Sequence, residues 1–175
     1  MSSFRAADVS FREATVADCP AVARTHVRSW RESFAGVVPQ AFLDQMSVEQ
    51  RARAFAARFS DESYRMFVAE AEGHGVVGFA DFGEPREPFG AYRGELYAIY
   101  LLPEFQRKGV GRRLFDLGVE FFLSRGISSM YLLALEASPY RKFYEKMGGR
   151  VVGRKQVELG GVSYDELIYG WDSLG

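Results

Sequence analysis

Cysteine is almost missing from this 175-residue sequence. Cys19 stands alone, which excludes an intramolecular disulfide and any cysteine-rich metal site. The two histidines form no metal-ligand spacing with each other or with the cysteine, so no metal is expected. The net charge of −1 lacks the basic excess of a general nucleic-acid binder. Long apolar runs are missing as well. The longest, Leu96–Leu102, falls far short of the roughly 20 residues that cross a bilayer. Met1–Arg5 show no apolar stretch of a signal peptide. These absences predict a cytoplasmic protein with no membrane and no nucleic-acid partner.

What is present is ordinary globular material, 47% apolar and 26% charged, with no repeat or low-complexity tract. One domain over residues 1–175 is expected, with a core large enough to stand without staples. Val9–Arg12 reads as a strand. Thr15, Asp18 and Pro20 mark a helix start, with Val22, His26, Trp30 and Phe34 on one face and Gly36 at the end. A helical segment follows from Pro39 to about Phe59. Strands are expected at Arg65–Glu70 and Gly75–Ala80, a loop at Gly83–Gly94, and a strand buried on both faces at Glu95–Leu102. Gly109–Arg125 has helical periodicity through Val110, Leu114, Leu117, Phe121 and Phe122, with Gly126 as C-cap. Then come a strand at Met130–Leu135, a helix at Pro139–Met147, and two strands, Val151–Leu159 and Val162–Gly170, around a Gly160-Gly161 turn. The class is mixed α/β, with a central sheet of six to seven strands and about four helices.

The unit that carries chemistry is strand, glycine turn, helix, centred on Gln106-Arg107-Lys108-Gly109-Val110-Gly111-Arg112. Unpaired amides at the positive end of a helix dipole form an anion site suited to phosphate or pyrophosphate. Glycines at 109 and 111 would let the backbone approach such a ligand, and Arg107, Lys108, Arg112 and Arg113 add charge. The bland alternative is a tight turn with solvated arginines. No Gly-Lys-Ser/Thr exists for a P-loop, and Leu114 stands where a dinucleotide fingerprint needs its third glycine.

Gln106–Gly111 resembles the [Q/R]-x-x-G-x-[G/A] acyl-CoA signature of the GNAT superfamily of N-acetyltransferases at every fixed position. Phe143–Gly149 resembles the family's second marker, and the order of elements is similar along nearly the whole chain. The resemblance implies acetyl-CoA as co-substrate and transfer of its acetyl group to an amine by direct attack. The amides of residues 107–112 would cradle the CoA pyrophosphate. Ile99 and Leu101 would hold the pantetheine and thioester by their backbone, where a free N–H can stabilise an oxyanion. The family's usual Asn-Pro before the next helix is Ser138-Pro139 here, so Ser138 offers only a hydroxyl to pantetheine or as a helix cap.

By the same resemblance Tyr144 is the acid that protonates the departing sulfur; its other reading is a core ring beside Tyr140, Phe143 and Met147. Glu95, counted back from Gln106, matches the strand glutamate that serves some relatives as base, and a raised pKa there would suit that task. The alternative is a solvated glutamate at a strand start. Tyr97, on the same strand face, is the alternative holder of a water. Trp30, Glu32 and Phe34 are the acceptor-side candidates, while His26 reads as a packed histidine. Cys19, without a base, is a poor nucleophile. The expected acceptor is a small-molecule amine; a protein or peptide amine, or a non-catalytic acyl-CoA sensor, are the alternatives. Relatives pair through the last hairpin, which implies a possible homodimer.

Overall fold

Strands form where apolar side chains fall on alternate positions, and helices where they recur at every third or fourth. The computed structural model describes residues 8–175, so the expectation for Met1–Arg5 lies outside the described residues. Val9–Glu13 forms β1, which pairs antiparallel with β2 (Arg65–Ala71). β3 (Gly75–Gly83) and β4 (Gly94–Leu101) continue the antiparallel run. β5 (Met130–Leu135) lies parallel to β4, and a hairpin of β6 (Arg150–Leu159) and β7 (Val162–Trp171) completes the sheet. The order across the seven strands is β1-β2-β3-β4-β5-β7-β6.

The helices cover both faces. α1 (Cys19–Ser33) carries Pro20 in its first turn and buries Val22, Ala23, His26 and Val27, with Phe34 as its C-cap. The expected single helix from Pro39 to Phe59 is two: α2 (Gln40–Asp44) and α3 (Val48–Arg58). Ser47 makes the break, its hydroxyl accepting the Gln50 N–H at 3.2 Å and so restarting the helix. Arg31 donates to the carbonyls of Leu43 and Met46 at the break, tying α1 to the α2–α3 turn.

On the other face α4 (Val110–Ser124) supplies the crossover that a parallel β4–β5 pair requires. Its buried stripe is Val110, Leu114, Phe115, Gly118 and Phe122, at helical spacing. Leu117 and Phe121 sit at the margin, half-buried, rather than on the expected face. A methyl at Gly118 would lie 2.0 Å from the Phe82 ring, so the missing side chain is what lets α4 settle on β3. The short α5 spans Arg141–Lys146, starting later than expected because Tyr140, not Ser138, is the N-cap.

Candidate active site

The centre of the sheet is incomplete. β4 and β5 pair only at Gly94↔Met130 and Glu95↔Tyr131, then part. The cause lies in the β3–β4 ladder, where Phe82 faces Leu96 but Asp81 faces Ala98. Tyr97 is therefore the extra residue of a bulge, and bulges bend the strand that carries them. The strand expected to be buried on both faces is in fact only half-buried from Tyr97 to Leu101, because β5 no longer covers its edge. A cleft opens there, lined by Leu96–Tyr100 on one side and by Leu132, Leu133 and Tyr144 on the other.

Backbone direction in this cleft follows from one bond. Leu102 N–H donates to Val77 O at 2.9 Å, so in the antiparallel ladder Tyr100 and Ala98 also turn their backbone groups to β3. Ile99 and Leu101 turn theirs the other way, toward the side that β5 has left. The Leu101 carbonyl accepts from Ser29 Oγ and Gln106 Nε2, each at 3.2 Å. Gln106 thereby ties the turn to the strand end.

The turn itself combines two left-handed residues. Arg107 has φ +58°, which costs a non-glycine residue roughly 1–2 kcal/mol, and Gly109 has φ +84° as N-cap of α4. Among the described residues, the amides of Gly109, Val110, Gly111 and Arg112 donate to no protein carbonyl; the ladder begins with Arg113 N–H to Gly109 O at 3.0 Å. Four donors thus stand at the positive end of a fifteen-residue helix. Lys108 Nζ folds back on Glu104 O at 2.7 Å, and Arg113 pairs with Glu120 at 2.7 Å. Gly111 differs from the expectation. A methyl there would press on Leu101 Cδ1 at 3.1 Å and approach Phe143 at 3.5 Å, so its bareness serves packing against β4 and α5 rather than ligand approach.

Tyr144, on α5, packs edgewise on Phe143 and leans on Tyr169 at 5.5 Å while lining the cleft. Burial first, then the neighbouring Tyr100 and Tyr169 phenols, push its pKa up, so it stays protonated through the neutral range. Ser138 Oγ accepts the Tyr140 N–H at 3.3 Å, closing a turn ahead of α5; it does not cap the helix as expected.

Glu95 sits at the closed end of the cleft, 1% exposed. The Arg86 backbone N–H donates to one carboxylate oxygen at 2.8 Å and its guanidinium to the other, Nε at 3.0 Å. The Tyr131 hydroxyl adds a contact at 3.3 Å. A solvated strand-start glutamate is excluded, and both oxygens of the expected base are already engaged. Tyr97 shares its face, with the Arg86 guanidinium 4.7 Å over its ring. Its hydroxyl donates to Glu84 O at 2.6 Å, so Tyr97 is anchored to the loop rather than aimed at a water. Arg86 escaped sequence reasoning because it lies in a Pro- and Gly-rich loop with no periodicity to mark it.

The acceptor-side candidates form an aromatic cluster. Trp30 stacks on Phe34 at 4.4 Å and meets Phe42 and Tyr100 at 5.9 and 6.3 Å. The Tyr100 phenol is pushed up to about 12, chiefly by burial. His26 is packed edge-on to Tyr100 at 4.9 Å, and its pKa is drawn down to about 3 by burial and by Arg51 and Arg58. It is neutral at pH 7 and behaves as a core histidine. Cys19 is buried, and burial raises its thiol pKa. Asp81, also missed from sequence, is fully buried against Arg58 at 2.7 Å and the Tyr64 hydroxyl at 3.0 Å, pinning α3 to β3. Among the described residues no group of His, Cys, Asp and Glu could hold a metal, and no helix is long and apolar enough to cross a membrane.

A sheet split after a parallel strand start, with a free-amide turn below the split, defines an acyl-CoA-dependent transferase. The sequence matches the acetyltransferase (GNAT) family over residues 25–149, and this chain belongs to that family: it is an acetyl-CoA-dependent N-acetyltransferase. It is similar to the uncharacterized N-acetyltransferase YuaI of Bacillus subtilis, 38% identical over 95% of this chain and 94% of that one. The fold is similar to PaiA N-acetyltransferase from Thermoplasma acidophilum in complex with coenzyme A, with a TM-score of 0.70 at 20% identity, covering 93% of this chain and 97% of that one. It is also similar to ribosomal-protein-alanine N-acetyltransferase from Brucella melitensis, with a TM-score of 0.71 at 24% identity, covering 93% and 98%.

Proposed function

We propose that this enzyme acetylates a small-molecule amine. The observation that carries the reading is a closed wall on the acceptor side. The β6–β7 turn seats on the start of α2 so tightly that a methyl at Gly160 would meet Phe42 Cβ at 2.9 Å and Pro39 Cγ at 3.3 Å. Phe34, Val38, Leu43 and Leu135 fill the space behind that contact, with Val157, Leu159 and Tyr164 of the hairpin packed against them. A peptide acceptor needs an open groove running past the cleft; a hairpin docked on a helix shuts one end of it.

Residue roles follow from the cleft. Acetyl-CoA supplies an activated thioester carbonyl. The amides of Gly109–Arg112 meet its pyrophosphate, with Gln106 and Arg107 shaping the turn and Lys108 and Arg112 adding charge. The outward backbone groups of Ile99 and Leu101 hold the extended pantetheine as a strand would, and a free N–H there faces the developing oxyanion. Ser138 borders this path. The amine nitrogen forms the new C–N bond as the C–S bond breaks; Tyr144 gives its proton to the sulfur and regains one from solvent, to which the amine's surplus proton is lost. Glu95 acts indirectly, by holding Arg86 and with it Tyr97 in place. Trp30 and Phe34 flank the acceptor. A homodimer through the β6–β7 hairpin, where Val151 and Val162 are exposed, and a cytoplasmic location belong to the same reading.

The test is thiol release from acetyl-CoA against monoamines, polyamines, aminoglycosides and short peptides. Turnover with a small amine at least as efficient as with any peptide is expected. Turnover confined to peptides, or tight CoA binding with no amine accepted, overturns the proposal.

A further inference from the structure

β7 carries one carboxylate that the fold leaves unmatched. Glu166 pairs in register with Leu135 on β5 and with Lys155 on β6, so it projects to the face that carries Leu135 and the aromatic cluster. It is half-buried, yet among the described residues it has no hydrogen bond or ion pair to its carboxylate. The charged groups around it are Lys155 on β6, Arg86 and Glu87 on the loop before β4, and Glu95 on β4. Both cations are already committed: Arg86 to Glu95, and Lys155 to Glu87 at 3.0 Å. Three carboxylates therefore share two cations, and Glu166 is the one left over. Its charge acts on the phenol of Tyr100, which lines the cleft opposite Tyr144 and meets Trp30 in the ring cluster.

We propose that Glu166 is the specificity-determining anion of the acceptor site, binding the positive charge of a cationic small amine against the Trp30–Phe34–Tyr100 rings. The inference rests on the small-amine reading above and names the substrate class within it. A half-buried carboxylate without a counter-ion is costly, and an incoming ammonium relieves that cost. Aromatic faces add cation–π attraction to the same charge. Burial, with Glu87 and Glu95 nearby, raises the Glu166 pKa even though Lys155 and Arg86 lower it, which is the behaviour of a carboxylate short of a cation. A neutral arylamine would gain the ring contacts but leave the carboxylate unmatched.

The experiment compares wild type with Glu166→Gln and Glu166→Asp on 1,4-diaminobutane, 4-methylaniline and a short peptide amine, with folding checked by thermal melting. Glu166→Gln is expected to raise KM for the diamine roughly tenfold or more, about 1.4 kcal/mol. KM for 4-methylaniline and for acetyl-CoA should stay within about twofold, since neither places a cation on the carboxylate. Glu166→Asp should recover part of the diamine affinity. A diamine KM unchanged in Glu166→Gln, in an enzyme that does turn over the diamine, overturns this inference alone. A wild type that acetylates only the peptide overturns the small-amine reading and takes this inference with it.

Discussion

The two ends of the cleft are built from different materials. The donor end, as proposed, is mainly backbone: free amides at Gly109–Arg112, outward peptide groups at Ile99 and Leu101, and two left-handed residues that shape the turn. The acceptor end, as proposed, is side chain: the Trp30, Phe34 and Tyr100 rings and the lone Glu166 carboxylate. Backbone recognition is indifferent to most substitutions and suits a constant partner. Side-chain recognition can be rewritten one residue at a time, which suits a partner that differs between enzymes of one fold.

The sharpest way to break this contrast is Gly109→Asp. It forces a side chain into φ +84° and sets a negative charge among amides that await an anion. Acetyl-CoA binding should fall at least roughly 100-fold by calorimetry. Retained affinity would mean that the turn is not the donor site.

Next comes Tyr144→Phe, which removes the proposed acid from the donor end. Turnover should drop roughly 100-fold with little change in acetyl-CoA affinity. Because the phenol is pushed up, wild-type turnover should show no loss from its deprotonation until well above pH 10. Equal turnover in the variant would return Tyr144 to a packing role.

Glu95→Gln tests whether the closed end of the cleft is chemistry or scaffold. Losing the charge opposite half-exposed Arg86 should lower unfolding free energy by about 2 kcal/mol, since solvent softens the cost of the bared cation. The shape of the pH–rate profile should not change. A flattened rise of rate with pH would restore Glu95 as the base.

The smallest effect belongs to His26, behind the acceptor rings. Its folded pKa lies below the unfolded value, so the unfolded chain binds the extra proton as pH falls from 6.5 toward 3 and stability is lost over that window. Between pH 7 and 5.5 this amounts to about 1 kcal/mol, which denaturant titration of His26→Phe should remove. An unchanged acid slope would mean that His26 accepts its proton in the folded state.

The same contrast governs what the sequence revealed. The donor turn was legible because Pro103, Gly109 and Gly111 fall between an apolar strand and a periodic helix, all within one short window. The hairpin was legible from Gly160-Gly161, both of which adopt positive φ. The Tyr97 bulge was not, because it exists only as a mismatch of register between two strands. Arg86 with Glu95, and Glu166 with its missing cation, depend on which loop lies over which strand, and no local pattern encodes that. The Ser47 break was legible in principle: Ser-x-x-Gln marks a helix start, but the apolar residues on either side hid it.

The bulge at Tyr97 has a consequence for what kind of ligand the enzyme can accept. Beyond it β4 and β5 no longer pair, so the outward backbone groups of β4 face a cleft instead of a neighbouring strand. An extended occupant carrying amides would satisfy those backbone groups as a strand does. On the proposed reading, the donor's arm takes the place of the missing strand, and the sheet is finished only when the substrate is bound.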